Sequence, residues 1–136
     1  MGTRCLTDVV DSNGEILMTL YRQFDGYPTG HGEELKLFLG EFKICNGIGR
    51  EQELGKWANG MSCLAAQIVS HFKKGIGEFY LYPPGKRDVW EEYLYVIKEN
   101  TNHSLDIDVY TTYGGDNNLI YSGPISEMDT LAMEKE

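Results

Sequence analysis

A chain of 136 residues with 41% hydrophobic and 12% aromatic content fits one globular domain, whose usual range is about 100 to 200 residues. Twelve Lys and Arg against 21 Asp and Glu leave a formal net charge of −9, which repels phosphate backbones and argues against generic nucleic-acid binding. No apolar run approaches the roughly 18 residues that span a bilayer and no leader-like segment opens the chain, so a cytoplasmic protein without membrane attachment is expected.

In chain order, residues 4–10 are rich in β-branched side chains and stop at Asn13-Gly14, a dipeptide that favours a tight hairpin turn. The return strand, 15–21, alternates Ile16, Met18 and Leu20 with Leu17, Thr19 and Tyr21. Residues 24–32 break all periodicity with Asp25-Gly26, Tyr27-Pro28, Gly30 and Gly32, the punctuation of an ordered loop. A short helix follows, with Leu35, Phe38, Leu39 and Phe42 on one face and Glu33 and Glu34 in its first turn.

Residues 46–57 read as a connecting loop. Asn59 is the expected N-cap of the strongest helix, in which Met61, Leu64, Ala65, Ile68, Val69 and Phe72 form the apolar stripe and Lys73-Lys74-Gly75 the end. Strands are then expected over 79–82, 90–98, 105–110 and 119–122, separated by Pro83-Pro84-Gly85 and by turns rich in Gly, Asp and Asn. The order β-β-α-α-β-β-β-β, with short turns between neighbouring strands, predicts an α+β fold with an antiparallel sheet and two helices inserted after an N-terminal hairpin. One domain is expected over 1–127, with 128–136 a frayed acidic tail.

Two clusters stand out as candidate ligand-binding segments. The run from Tyr21 to Gly32 gathers Arg22, Asp25, Tyr27 and His31 among glycines that let backbone approach a ligand closely. The second, 80–88, sets Tyr82, Lys86 and Arg87 beside a rigid turn. Brought together at one sheet edge, they would offer aromatic faces and cations to a small phosphorylated or aromatic ligand. Taken apart, the first reads as a turn in which Arg22 and Asp25 satisfy each other, and the second as a solvated turn with incidental cations.

Other templates are not met. There is no phosphate-loop or dinucleotide fingerprint, no H-E-x-x-H and no G-x-S-x-G, so no catalytic residue is assigned and the reading leans away from an enzyme. His31, His71 and His103 lie in different elements, and Cys5, Cys45 and Cys63 share no ligand or redox spacing. No metal site or cofactor is expected, and the thiols read as reduced. Asp106 and Asp108 alternate with Leu105, Ile107 and Val109 as the wet face of a strand. Leu6 stands where an N-myristoylation motif needs Ser or Thr, and Asn102-His103-Ser104 is an acceptor only in a secreted chain.

Thr3-Arg4, the Tyr21-Arg22-Gln23-Phe24-Asp25-Gly26-Tyr27-Pro28 run, Asn59-Gly60-Met61 through Leu64-Ala65-Ala66, and Phe79-Tyr80-Leu81-Tyr82-Pro83 together resemble a family of small bacteriophage and prophage proteins, over roughly residues 2–124. The resemblance carries no catalytic motif and no residue role. What it implies is context: a modulator of the host, in the host cytoplasm. Three functions stay open. One is a binding module that sequesters a nucleotide-derived signal, similar in role to anti-Thoeris and anti-CBASS sequestering proteins, with its site often at a homo-oligomer interface. The second is an acidic inhibitor that occupies a basic surface of a host protein, resembling some anti-CRISPR proteins in role. The third is an enzyme acting on small molecules.

Overall fold

The computed structural model describes residues 2–49, 55–112 and 115–134. Its strands are β1 (Cys5–Val10), β2 (Ile16–Arg22), β3 (Lys43–Cys45), β4 (Trp57–Asn59), β5 (Phe79–Tyr82), β6 (Tyr93–Glu99), β7 (Leu105–Thr111) and β8 (Asn118–Pro124). The helices are a π-helical turn at Pro28–Gly32 running into α1 (Glu33–Leu39), then α2 (Gly60–Phe72) and α3 (Thr130–Glu134).

The fold is α+β, as the order of sequence patterns predicts. Six strands form one sheet in the order β5-β2-β1-β6-β7-β8, and β3 and β4 make a separate parallel pair. The expected loop over 46–57 is therefore bracketed by two short strands, and part of it, 50–54, lies outside the described residues, as does Gly114 of the turn before β8.

One pairing differs from the antiparallel expectation. β6 lies parallel to β1 at the sheet centre, Cys5 opposite Tyr93 and Val9 opposite Ile97. β5 occupies the outer edge of β2, so the chain has to cross the β1–β2 hairpin before it pairs again. Trp90 takes a left-handed backbone with φ 69°, so the strand expected from residue 90 begins only at Tyr93. Residues 83–92 thus become a crossover rather than a hairpin, a strap that carries the chain from edge strand β5 past β2 and β1 to β6, about 14 Å at normal strand spacing.

Strand alternation divides the sheet into two faces. Cys5 and Val9, Met18 and Leu20, Phe79, Tyr95 and Ile97, and Leu105, Ile107 and Val109 point to the helices and join Leu35, Leu39, Leu64, Ile68 and Phe72 in the main core. The opposite face buries a smaller cluster of Leu6, Tyr21 and Leu94, with Tyr82, Val89, Val96 and Tyr110 around it. Farther along the same face, Lys98 pairs with Asp108 at 2.8 Å and Asn100 donates to Asp106 at 3.0 Å, so these wet-face carboxylates are tied down.

The chain end also departs from expectation. Residues 128–134 do not fray: Met128 is 0% and Met133 6% exposed, both in the main core. Thr130 Oγ1 donates to Glu33 and the Thr29 amide to Glu134, fastening α3 to the π-helical turn. Two methionines separated by five positions, among acidic residues, are too sparse a pattern to register as a buried face. Among the described residues no helix is long and apolar enough to cross a membrane.

Candidate functional site

Arg22 ends β2 with its side chain on the helix-covered face. Its guanidinium meets Glu34 of α1 at 3.2 Å and Glu78, just before β5, at 3.0 Å, and lies 4.9 Å above the Phe79 ring. Glu78 holds a left-handed φ of 67° to make this contact. Arg22 Nη1 also lies 3.2 Å from His31 Nδ1. Because guanidinium only donates, Nδ1 is the acceptor, so the proton sits on Nε2 and is donated to Thr7 Oγ1 at 2.7 Å. His31 is fully buried, and burial first, with the Arg22 charge second, lowers its pKa to about 3. It is a neutral ring in the core.

The π-helical turn is what delivers His31 to this position. Asp25 adopts φ 62°, its carbonyl accepts the His31 amide at 2.8 Å, and Gly26 and Gly30 pass where a Cβ would overlap Cys5, Thr3 or the Asp25 carbonyl. The Tyr95 hydroxyl donates to the Gly26 carbonyl at 2.7 Å. Tyr27 points away from this node, its hydroxyl donating to Asp25 at 3.2 Å. Burial pushes the Cys5 thiol far up, so it is held as a neutral thiol.

The second cluster is organised on the other face. Tyr82 stacks on Tyr21 with ring centroids 5.2 Å apart. Arg87 reaches back from the strap to Asp8 at 2.6 Å, and the same carboxylate accepts from Thr19 Oγ1 at 2.7 Å. Asp8 is 1% exposed, so the strap arginine neutralises a buried charge. Gly85 N donates to Thr19 Oγ1, and the exposed Lys86 closes a backbone turn to Pro83 and accepts from Arg87 Nη1 on its carbonyl at 2.8 Å.

The two clusters therefore meet through backbone pairing of β2 with β5, but not through side chains. Tyr21 and Arg22 are sequence neighbours on one strand and so point to opposite faces; Arg22 and His31 fall on the helix side, Tyr82 and Arg87 on the strap side, and Asp25 and Tyr27 at the loop. Both arginines are committed to carboxylates of the chain itself. Among the described residues, none of the main cavities is lined by side chains of both clusters.

Two further cavities bear on the site. One, of about 540 Å³, is lined by Cys45, Asn46, Asn59, Gly60, Glu99 and His103 at the start of α2. There the His103 Nδ1 lies 2.7 Å from Glu99, Cys45 donates to the Ala58 carbonyl at 3.4 Å, and Asn59 accepts from the Gly47 amide instead of capping α2. Among the described residues no three His, Cys, Asp or Glu side chains are placed to hold a metal ion.

The other, of about 490 Å³, opens beside the strap and is lined by Asp88, Trp90, Glu91, Thr112 and Gly115. Trp90 is 83% exposed although an apolar cluster lies beneath the same strap. Trp90, Glu91 and Thr112 escaped the sequence reading because Trp90 looked like the first residue of a strand. The signal against that was Glu91-Glu92, which interrupts the alternation directly after Trp90. No family model, no curated protein and no solved structure matches the chain.

Proposed function

We propose that the chain is an acidic protein-interaction module that binds a basic surface of a partner; in the phage-like setting its sequence resembles, that partner is a host protein. The observation that carries this reading is where the cations are. Arg22, Arg87, Lys98 and Lys56 pair with carboxylates of the chain, while Lys36, Lys43 and Lys73 donate to its own carbonyl and hydroxyl oxygens. Among the described residues both arginines of the candidate clusters, Arg22 and Arg87, are thus occupied internally, and the net charge of −9 favours a cationic partner over a phosphorylated ligand. Sequestration of a nucleotide-derived signal would need those same arginines released from internal partners.

The test is a pair of measurements on the full chain. Immobilised protein is exposed to host lysate at about 0.05 M and about 0.5 M salt, where exposed charge attraction is respectively weakly and strongly screened. A basic protein retained at low salt and released at high salt is expected. Native mass spectrometry of the purified chain gives the opposing result: a stoichiometric nucleotide-like compound released on denaturation would overturn the proposal in favour of sequestration.

A further inference from the structure

Trp90 stands outward on a strap that is hydrogen-bonded on both sides of it. Asp88 and Trp90 both take left-handed backbones, φ 63° and 69°, two of the five non-glycine residues with positive φ among the described residues, and only two positions apart. Such conformations are unfavourable for a side-chain-bearing residue and persist where surrounding contacts enforce them. Here the Glu91 carboxylate accepts the Asp88 and Val89 amides, the Glu92 amide donates to the Arg4 carbonyl, Thr112 N donates to Glu92, and Thr112 Oγ1 donates to Glu91. Val89 turns inward to the apolar cluster, and Trp90 turns out. A largely exposed indole on a hydrogen-bonded strap is pre-organised for an external contact.

The chemistry around it selects the contact. The same cavity brings Trp90 together with the acidic residues Asp88 and Glu91, and its described lining includes no Lys or Arg. An aromatic face flanked by acids attracts a cation, and a guanidinium satisfies both halves at once, stacking on indole while its fork donates to carboxylate. We propose that this cavity is the docking point for an arginine side chain of the partner protein. This deepens the interaction-module reading and rests on it.

The experiment uses the full chain labelled with nitrogen-15, whose two tryptophans give two indole N–H signals, Trp57 serving as internal control. N-acetyl-arginine amide is titrated in, with N-acetyl-lysine amide and the uncharged N-acetyl-norleucine amide in parallel. Expected is a saturable shift of the Trp90 signal with the arginine amide, weaker with lysine, absent with norleucine, and unmoved for Trp57. In Asp88→Asn, which keeps a residue tolerant of the left-handed backbone, the affinity should fall roughly twofold to fivefold. An equal shift with norleucine, or no saturable shift with arginine, overturns the assignment. The basic partner from the lysate test separates the two ideas: if Trp90→Ala binds it with unchanged affinity, the interaction module stands and this site falls.

Discussion

Arg22 and Arg87 sit on opposite faces of one sheet and make ion pairs of opposite construction. On the helix side the arginine is the buried member, its side chain 6% exposed against 45% for Glu34 and 34% for Glu78. On the strap side the carboxylate is buried, Asp8 at 1% against 31% for Arg87. The comparison teaches that depth of the mutated residue is a poor guide to its cost. What matters is which charge is stranded when its partner is removed.

The sharpest way to break the comparison is Arg87→Ala. It leaves the Asp8 carboxylate at the sheet centre with only the Thr19 hydroxyl, and should cost about 3–5 kcal/mol in urea denaturation despite removing a partly exposed side chain. Replacing both members, Asp8→Leu with Arg87→Met, should recover most of that loss. If the single variant costs less than about 1 kcal/mol, the strap is not pinned by this pair. The same asymmetry means that loss of partner binding in Arg87→Ala reports unfolding before it reports a contact.

Arg22→Ala is the next effect in size. Glu34 and Glu78 are exposed enough to rehydrate, so the loss is the hydrogen bond to His31 and the packing on Phe79, about 1–3 kcal/mol by the same measurement. A cost above that of Arg87→Ala would reverse the comparison.

His31 sharpens it through pH. Its folded pKa, near 3, lies below the ordinary value of 6.5, so below pH 6.5 the unfolded chain binds a proton that the folded chain refuses. Stability from this group is complete above pH 6.5 and is lost as pH falls through the window from 6.5 toward 3, approaching about 1.4 kcal/mol per pH unit within it. His31→Gln should remove that slope between pH 6 and 4 relative to the parent chain; parallel stability profiles would show that His31 takes up its proton without unfolding.

The smallest effect is expected at Trp90. Trp90→Asn places a residue tolerant of the left-handed backbone where the indole is 83% exposed, so the melting temperature should stay within what about 0.5 kcal/mol produces. A large loss would show the indole supporting the strap rather than being displayed by it.

Hairpin β1–β2, helices α1 and α2 and strands β5 and β7 were legible in the sequence, because period-two and period-3.6 apolar patterns are local and survive whatever packs against them. So was the choice of Arg22, Asp25 and His31 as unusual, since three aromatics, an Arg, an Asp and a His crowd one glycine-rich run. What that unusualness was for was not legible: the guanidinium and imidazole meet only because a π-helical turn folds residue 31 back onto β2.

The sequence by itself determined an acidic α+β chain, its strand faces and the position of its longest helix, all consequences of residue order within a few neighbours. Tertiary structure alone decided that β6 runs parallel to β1, that Met128 and Met133 complete the core, and that both arginines answer internal carboxylates. Each of these depends on contacts between residues far apart in the chain, such as Asp8 with Arg87 or Thr29 with Glu134, which leave no periodic trace in the sequence.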